Sequence, residues 1–335
     1  MNAIGEHRDL SFRKIIMLQL PSPLQKINWS VAQAAGVEVW VKRDDLIHPE
    51  ISGNKWRKLV YNVQHVKING YAGLVTFGGA FSNHIAATAH AGKLHGIETI
   101  GIIRGEEADF ENPTLSQARA NGMKLQSISR EEYQNKTNPE YLKKLQAQFP
   151  NYFIVPEGGA NLYGVLGCLE ILSEVEQTFD VVACPIGTST TFSGLVASAG
   201  ATCKVLGFPA VKGGAYLRAD VNNFLEQLQR LEEQPPNLAP SSDWQFQSQY
   251  HFGGFAKMKE PLVRFMNAFW EEMQIPLDPI YTAKLFFGLK EMMLNNAFEK
   301  GTRILAIHTG GLQGIAGMNT RLSNKNYSID YAHKI

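Results

Sequence analysis

Short apolar runs alternate with amphipathic stretches along most of the chain. In the first half they predict strands at residues 74–77, 99–103, 124–128 and 153–155, with a helical stretch between each strand and the next. Strands that alternate with helices form parallel sheets, because each crossover helix returns the chain to the same end of the sheet. The pattern therefore predicts a small parallel sheet.

A second series of apolar runs predicts a larger sheet from strands at 181–186, 204–208, 245–250 and 304–307, joined by an N-terminal strand at 38–41. The polar, proline-containing stretch 232–243 is typical of a surface loop. The expected fold class is α/β, with two open, mostly parallel twisted sheets flanked by helices.

A lysine-rich segment opens the predicted helix 54–66. Lys55 and Lys58 are three residues apart, so they share one helix face, and one amine could condense with an aldehyde while the other neutralises a phosphate. The alternative is that Lys55, Arg57 and Lys58 form an ordinary solvated helix face.

A hydroxyl-rich glycine loop connects the predicted strand 181–186 to a predicted helix at 192–199. It consists of Gly187, Thr188, Ser189, Thr190 and Thr191. Backbone N–H groups at a helix N-terminus and a row of hydroxyls suit a monoester phosphate, although an ordinary turn capped by threonine has the same sequence pattern. A lysine amine together with a phosphate loop predicts pyridoxal phosphate, whose aldehyde and phosphate need both.

Two more strand ends carry candidate polar groups. Ser82 and Asn83 follow the strand 74–77 and begin a helix, so this N-terminus could bind a substrate carboxylate and Ser82 could relay a proton; the alternative is that Ser82 is only the N-cap. Thr309 follows the strand 304–307 and could donate to a cofactor ring nitrogen, or belong to a simple glycine turn. His308 is expected to be structural.

Together these motifs resemble the 1-aminocyclopropane-1-carboxylate deaminase and D-cysteine desulfhydrase family of fold-type II pyridoxal-phosphate enzymes. The resemblance covers nearly the whole chain. It rests on VKRDDL at 41–46, SGNKWRKL at 52–59, SN at 82–83, PEGGAN at 156–161, GTSTTFSGL at 187–195, DPIYTAK at 278–284 and HTGG at 308–311.

The resemblance implies a role for each candidate residue. Lys55 would condense with the cofactor, and Lys58 with the 187–191 loop would bind its phosphate. Asn83 would bond its phenolic oxygen, and Thr309 would lie near its ring nitrogen. Ser82 would meet the substrate carboxylate or transfer a proton. Tyr281 would stack on the ring and help move protons.

The resemblance also implies an architecture. A small inserted domain would span 53–162, and residues 1–52 with 163–335 would form the large domain. The cofactor would lie in the cleft between them, and the expected assembly is a homodimer.

Three departures from the family pattern bear on the reaction. Thr282 stands where the cyclopropane deaminases have a glutamate that can keep the ring nitrogen protonated, which favours β-elimination from D-cysteine over ring opening. Phe81 replaces the usual glutamine and Phe255 a typical active-site tyrosine, unless Tyr250 serves instead. The loss of these two polar side chains leaves the identity of the substrate open. It also allows the alternative that the protein is a catalytically impaired cofactor-binding or regulatory protein.

Composition is that of an ordinary enzyme of small molecules. The 335 residues carry a formal charge of +1 and 44% hydrophobic content, which indicates neither a nucleic-acid nor a membrane partner. Charged residues interrupt the first 20 positions, so no signal peptide or membrane helix is expected there, and the cytoplasm is the expected location.

Cysteine and histidine usage gives the same picture. The three cysteines, Cys168, Cys184 and Cys203, lie in apolar stretches and fit buried thiols rather than disulfides or a zinc site. His84, His90 and His95 share a predicted helix without metal-ligand spacing, so no catalytic metal is expected.

Overall fold

A computed structural model describes residues 18–51, 53–323 and 327–333. The predictions made for residues 1–17 and the role of Ser52 in the SGNKWRKL motif lie outside these ranges. Six strands form the larger sheet in the spatial order β1-β2-β10-β7-β8-β9, in which β1 is antiparallel to β2 and all other neighbours are parallel. Their bounds are β1 Leu24–Ile27, β2 Glu38–Lys42, β7 Val181–Ile186, β8 Lys204–Pro209, β9 Trp244–Phe246 and β10 Arg303–Ile307.

The second sheet has four strands, all parallel, in the order β5-β4-β3-β6. Its strands are β3 Gly73–Gly78, β4 Glu98–Arg104, β5 Lys124–Ile128 and β6 Tyr152–Val155. All four match the small parallel sheet predicted from the first series of apolar runs.

Twelve α-helices surround the two sheets in the described part of the chain. They are α1 Ser30–Ala35, α2 Asn54–Ile68, α3 Asn83–His95, α4 Pro113–Ala120, α5 Arg130–Gln134, α6 Pro139–Gln148, α7 Leu162–Ser173, α8 Thr190–Ser198, α9 Tyr216–Gln229, α10 Glu260–Met273, α11 Thr282–Leu294 and α12 Gly314–Ser323. Short 3-10 turns occur at Asp44–Leu46, Glu157–Gly159 and Ser248–Tyr250.

The central strands of the larger sheet are buried on both faces. In β10, Ile304 and Ala306 face one hydrophobic cluster, whereas Leu305 and Ile307 face another. Strands covered by helices on both sides read as continuous apolar runs rather than as alternating ones. This burial explains why β7 and β10 were recognisable in the sequence, and the predicted α/β fold class is confirmed.

Two details of the larger sheet differ from the prediction. The strand expected at 245–250 ends at Phe246, because the chain turns into a 3-10 helix at Ser248–Tyr250 and Tyr250 packs on Phe208 with ring centroids 6.0 Å apart. The antiparallel edge strand β1 was not predicted, because its four residues LQKI lack a clear apolar pattern. The division into domains at 53–162 stays a prediction.

Candidate active site

The lysine helix α2 begins against the end of β10. Gly53 has φ +69°, and a Cβ there would overlap the backbone carbonyl of Thr309. The N–H of Asn54 donates to the same carbonyl oxygen at 3.2 Å. Glycine is needed for both the left-handed backbone and the close approach. Thr309, which is buried, therefore lies beside the first turn of the lysine helix.

Lys55 is held in an environment that favours its neutral amine. Its Nζ donates to Oδ1 of Asn54 at 2.8 Å, and Nδ2 of Asn54 donates to Oγ1 of Thr191 at 2.9 Å. Burial, followed by the positive charge of Lys58, lowers the pKa of Lys55 to about 7. A lysine amine with such a pKa is a competent nucleophile and base near neutral pH.

Lys58 and Arg57 are buried, so the solvated-face alternative is wrong for both. The Nζ of Lys58 donates to Oγ1 of Thr188 at 3.2 Å, and burial lowers the pKa of Lys58. A second hydroxyl, that of Thr190, lies 3.2 Å from the hydroxyl of Thr188. Lys58 therefore points at the predicted phosphate loop.

Arg57 fixes the same helix from within the protein. Its guanidinium bonds Asp44 at 3.0 Å and Glu174 at 2.6 Å, and Lys42 also bonds Glu174 at 2.7 Å. Burial alone would raise the pKa of Glu174, but the hydrogen bonds and charges of Arg57 and Lys42 lower it to about 2. We call these four residues the buried ion network; it links α2 to β2 and to the end of α7.

The 187–191 loop has the geometry of an anion site, although its hydroxyls are not equivalent. Ser189 has φ +59° and is the N-cap residue of α8, and its hydroxyl donates to the carbonyl of Leu217 at 3.4 Å. The hydroxyl of Thr191 is used by Asn54. Ser189 and Thr191 thus offer backbone N–H groups at the α8 N-terminus, while Thr188 and Thr190 carry hydroxyls beside Lys58. In this structure the hydroxyl of Thr190 donates to the carbonyl of Thr188 at 3.1 Å.

Glycines of the PEGGAN motif close this loop from the other side. Gly158 and Gly159 have φ +70° and +73°. A Cβ on Gly158 would lie 2.9 Å from Cγ2 of Thr188, and one on Gly159 would lie 3.1 Å from Cβ of Lys58. The absence of side chains at both positions leaves room for the loop and for Lys58.

Ser82 caps α3, and Asn83 is the first residue of that helix. The Oγ of Ser82 accepts from the N–H groups of His84 and Ile85 at 3.2 and 3.3 Å, as the capping alternative requires. These bonds use the oxygen and not the hydroxyl hydrogen. Capping therefore does not prevent Ser82 from donating a proton to another group.

Asn83 reaches the larger sheet at Gly311. A Cβ on Gly311, where φ is +96°, would lie 2.7 Å from Nδ2 of Asn83 and 3.4 Å from Cγ of Asp278. On the same side, a Cβ on Gly187 would lie 3.0 Å from Cε1 of Tyr281. The structure thus brings Asn83, Tyr281 and the phosphate loop to one cleft with Lys55.

Asp278, which sequence reasoning missed as a site residue, positions Tyr281. Its buried carboxylate accepts from the N–H groups of Ile280, Tyr281 and Thr282 at 2.7–3.0 Å. The hydroxyl of Thr282 also donates to it at 2.9 Å. Burial, and then the charge of Asp278, raise the pKa of Tyr281 well above its usual range, so Tyr281 stays a neutral phenol. The signal was an Asp four residues before the helix-opening Thr282.

His84 is a second residue whose position the sequence did not reveal. Oγ1 of Thr76 donates to the carbonyl of Val155 at 2.8 Å and lies 2.8 Å from Nε2 of His84. Because that hydroxyl has one hydrogen, Nε2 of His84 must be the donor. Burial and the charges of Lys55 and Lys58 lower the pKa of His84, so Nδ1 is a neutral acceptor, and this buried atom has no partner in the described protein.

The remaining polar candidates are structural. His308 donates through Nε2 to the carbonyl of Pro276 at 2.7 Å. Cys168, Cys184 and Cys203 are buried free thiols, and burial raises the pKa of each. Within the described ranges, no three His, Cys, Asp or Glu side chains are grouped so that they could hold a metal ion. The helices of those ranges include none that is long and apolar enough to span a membrane.

The donor set fits pyridoxal phosphate. The cofactor needs a lysine amine that can be neutral, a cationic phosphate site and polar partners for its ring. Lys55 would supply the amine, and Lys58 with the loop at the α8 N-terminus would supply the phosphate site. The unpartnered Nδ1 of His84 beside them indicates a cleft built for a further polar group.

Comparisons with known proteins agree with this fit. The family described as pyridoxal-phosphate dependent enzyme matches residues 15–310. A putative 1-aminocyclopropane-1-carboxylate deaminase from Pyrococcus abyssi is 28% identical over 91% of this chain and 93% of its own. A bifunctional D-cysteine desulfhydrase/1-aminocyclopropane-1-carboxylate deaminase from Arabidopsis thaliana is 29% identical, over 92% and 80% of the two chains.

Other similarities extend to a second activity and to a solved structure. A D-cysteine desulfhydrase from Klebsiella pneumoniae is 25% identical over 93% of this chain and 98% of its own. The crystal structure of an ACC deaminase homologue superposes with a TM-score of 0.77 at 25% identity, over 90% and 93% of the two chains. Similarity thus extends to 1-aminocyclopropane-1-carboxylate deaminases and to D-cysteine desulfhydrases. The chain is therefore a member of the pyridoxal-phosphate dependent enzyme family and a lyase with pyridoxal phosphate as its cofactor.

Proposed function

We propose that this enzyme catalyses β-elimination from a small D-amino acid of the D-cysteine type. With D-cysteine, the α-proton and the β-sulfur leave, and water converts the remainder to pyruvate and ammonia while the sulfur departs as hydrogen sulfide. Bound pyridoxal phosphate supplies the electron sink that makes the α-proton removable. The protein must hold the substrate, accept that proton and keep the cleft closed to side reactions.

We assign the roles from the geometry of the cleft. Lys55 would hold the cofactor, and its amine would accept the α-proton, because a pKa of about 7 leaves about half of the amine neutral at pH 7. Ser82 binds the substrate carboxylate or passes on a proton. Tyr281, a neutral phenol, stacks on the ring and can donate but not remove a proton.

The other groups hold the cofactor. Lys58, the hydroxyls of Thr188 and Thr190, and the backbone of Gly187, Ser189 and Thr191 bind its phosphate. Asn83 bonds its phenolic oxygen, and Thr309 bonds its ring nitrogen.

The hydrogen bonds of Thr282 are the observation that favours β-elimination over ring opening. Its hydroxyl hydrogen is directed to Asp278, and its oxygen accepts from the N–H of Asp278 at 2.7 Å. The carboxylate of Asp278 is itself used by the α11 N-terminus. Neither group is free to hold a ring nitrogen protonated, so the electron sink is weaker, which suits elimination better than opening of a cyclopropane ring.

Ring opening of 1-aminocyclopropane-1-carboxylate to 2-oxobutanoate and ammonia is the second candidate. The names of the relatives support it as well, since the Arabidopsis protein carries both activities in its name. A catalytically impaired cofactor-binding or regulatory protein is the third candidate, motivated by Phe81 and Phe255. The intact set of Lys55, Ser82, Asn83 and Tyr281 argues against it, because this set includes groups for substrate binding and proton transfer as well as for cofactor binding.

The test is release of 2-oxo acids by the cofactor-loaded enzyme from D-cysteine, L-cysteine, D-serine and 1-aminocyclopropane-1-carboxylate. We expect pyruvate from D-cysteine, none from Lys55→Ala, and wild-type rates from the control variant Lys143→Ala, whose side chain is 77% exposed. Faster 2-oxobutanoate from the cyclopropane would reverse the ranking. Cofactor binding without release from any of the four would support the impaired protein.

Covalent attachment can be tested apart from turnover. Borohydride reduction of the loaded protein, followed by peptide mapping, should label Lys55. Labelling of another lysine would refute the central assignment.

We further propose a homodimer that works in the cytoplasm. Three buried free thiols and the absence of a disulfide among the described residues are consistent with a reducing compartment. Light scattering of the loaded enzyme should give twice the chain mass of 37.2 kDa.

A further inference from the structure

Two large apolar side chains are exposed at the entrance of the cleft. Phe81 is 58% exposed and directly precedes Ser82, and Phe255 is 49% exposed with its ring centroid 6.2 Å from that of Tyr281. Exposed aromatic rings beside a concave polar site are typical of ligand-binding surfaces. The two rings are therefore exposed next to residues of the candidate site, Phe81 beside Ser82 and Phe255 beside Tyr281.

Phe81 belongs to the smaller-sheet side of the cleft and lies close to helix α12 of the other side. It lies in the turn between β3 and α3, closed by the N–H of Ser82 donating to the carbonyl of Gly79 at 3.0 Å. A Cβ on Gly317 of α12 would lie 3.5 Å from two ring carbons of Phe81. Phe81 is thus close to α12 at Gly317, and its side chain is still 58% exposed.

Phe255 is presented by a strained loop. Phe252 and Ala256 have φ of +55° and +54°, and the intervening Gly253 and Gly254 are also left-handed. Non-glycine residues in this conformation are strained and persist only where other contacts hold them. Such strain next to a candidate site favours a functional reason for the position of Phe255.

The contact that holds this loop comes from the helix that follows Tyr281. The buried Nζ of Lys284 donates to the carbonyl of Gly254 at 2.8 Å and to that of Ala210 at 3.1 Å. Lys284 lies one turn after Tyr281, so one helix fixes both the catalytic phenol and the loop that carries Phe255. The edge-on packing of Phe255 against Tyr281 is thus built into the fold.

We propose that the enzyme acts on cysteine S-conjugates, in which the sulfur carries an apolar or aromatic group that packs between Phe81 and Phe255. The inference rests on the proposed β-elimination. The carbon–sulfur bond breaks, the sulfur keeps the electron pair, takes up a proton and leaves as a thiol, and water converts the remaining three-carbon unit to pyruvate and ammonia. No oxidant or reductant is needed.

The recognition follows from the chemistry of the two rings. An aromatic substituent gains apolar burial and ring–ring contacts that the free thiol of cysteine cannot make. One additional methylene in an apolar pocket already changes specificity by about 10-fold or more. We therefore expect kcat/KM for S-benzyl-D-cysteine to exceed that for D-cysteine by at least about 10-fold.

The experiment compares D-cysteine, S-benzyl-D-cysteine and S-carboxymethyl-D-cysteine with the loaded enzyme, with pyruvate as the readout. The S-benzyl preference should fall about 10-fold in Phe81→Gln and in Phe255→Ser. Ile68→Gln and Leu294→Gln are matched controls and should keep the preference. These residues are 58% and 57% exposed and lie at the C-terminal ends of α2 and α11, whereas Lys55 and Tyr281 lie at the N-terminal ends of those helices.

A binding readout separates this inference from the proposed reaction. D-Phenylalanine has no β-leaving group, so its titration, followed by the visible absorption of the cofactor, reports the pocket alone; its Kd should rise about 10-fold in the two phenylalanine variants. Pyruvate from D-cysteine with poorer turnover of the S-benzyl compound would overturn the inference and leave β-elimination standing. No pyruvate from any compound would overturn β-elimination, and the S-conjugate assignment with it, even if D-phenylalanine bound.

Self-association is the remaining alternative for these rings. If Phe81→Gln or Phe255→Ser changed the elution volume in size-exclusion chromatography and left the S-benzyl preference intact, the rings would belong to a contact between copies. That result would also overturn the inference.

Discussion

Replacing Lys58 by methionine should make Lys55 less reactive even when no cofactor is present. Burial and then the charge of Lys58 lower the pKa of Lys55 from 10.5 to about 7. At pH 7 about half of such an amine is neutral, whereas the neutral fraction of an ordinary lysine is about 0.0003. The neutral, reactive fraction of Lys55 is therefore about 1,000-fold larger than that of an ordinary lysine.

The size of the effect follows from the order of the causes. Because burial is the larger one, loss of the Lys58 charge should recover only part of the difference, and we expect the pKa of Lys55 to rise by about one. The neutral fraction at pH 7 then falls from about a half to about a tenth. Lys58→Met should therefore slow acylation of Lys55 about fivefold, while Lys58→Arg keeps the charge and should have little effect.

Trace labelling of the cofactor-free protein with acetic anhydride measures this directly. The extent of acetylation of the Lys55 peptide is determined by mass spectrometry from pH 5 to 11 and normalised to that of Lys143. We expect an inflection near pH 7 in the wild type and near pH 8 in Lys58→Met. A wild-type inflection above about pH 9.5, or identical curves for Lys58→Met and Lys58→Arg, would refute the electrostatic reasoning.

Three further substitutions test the supports of the site. Gly53→Ala should abolish cofactor binding, measured by visible absorbance, whereas Gly70→Ala, with nearly the same φ but open space around it, should cost only about 1 kcal/mol in urea unfolding. Glu174→Gln should lower the free energy of unfolding at pH 7 by about 3 kcal/mol. Because the pKa of Glu174 is lowered in the folded protein, the difference in stability between wild type and variant should persist above pH 4.5 and vanish as the pH falls toward 2. A difference in stability that does not change with pH would contradict the assignment. Thr76→Val removes the acceptor of Nε2 of His84 and should lower the free energy of unfolding by about 1–3 kcal/mol. Adding His84→Phe to this variant should recover part of that stability.

Local patterns sufficed wherever one segment determines its own structure. The buried strands β3 and β7 are continuous apolar runs, and Lys55, Ser82 and the 187–191 loop each follow from a short motif next to a strand end or a helix start. Within each sheet, the strand–helix alternation then places the carboxyl ends of the parallel strands at one edge. Ser82 follows a strand of the smaller sheet and the 187–191 loop a strand of the larger one, so the alternation does not predict how the two edges meet.

Features that depend on distant partners could not be predicted. The tautomer of His84 is set by a threonine on β3 that is itself bonded to β6. Lys284 meets carbonyls that lie 30 and 74 residues away along the chain. The role of Asp278 as the acceptor for the α11 N-terminus could not be predicted either, because it depends on the turn that precedes Tyr281.

The buried ion network has a consequence for how this enzyme could be changed. Arg57 anchors α2 through contacts that do not involve the cleft, so the helix that carries Lys55 and Lys58 does not rely on the substrate-facing side chains for its position. Phe81 and Phe255, in contrast, stand on turns. Mutational libraries confined to residues 79–81 and 252–256 should therefore yield new substrate preferences at high frequency while most members still bind the cofactor. The same separation would let natural relatives diverge in substrate without rebuilding the reactive centre.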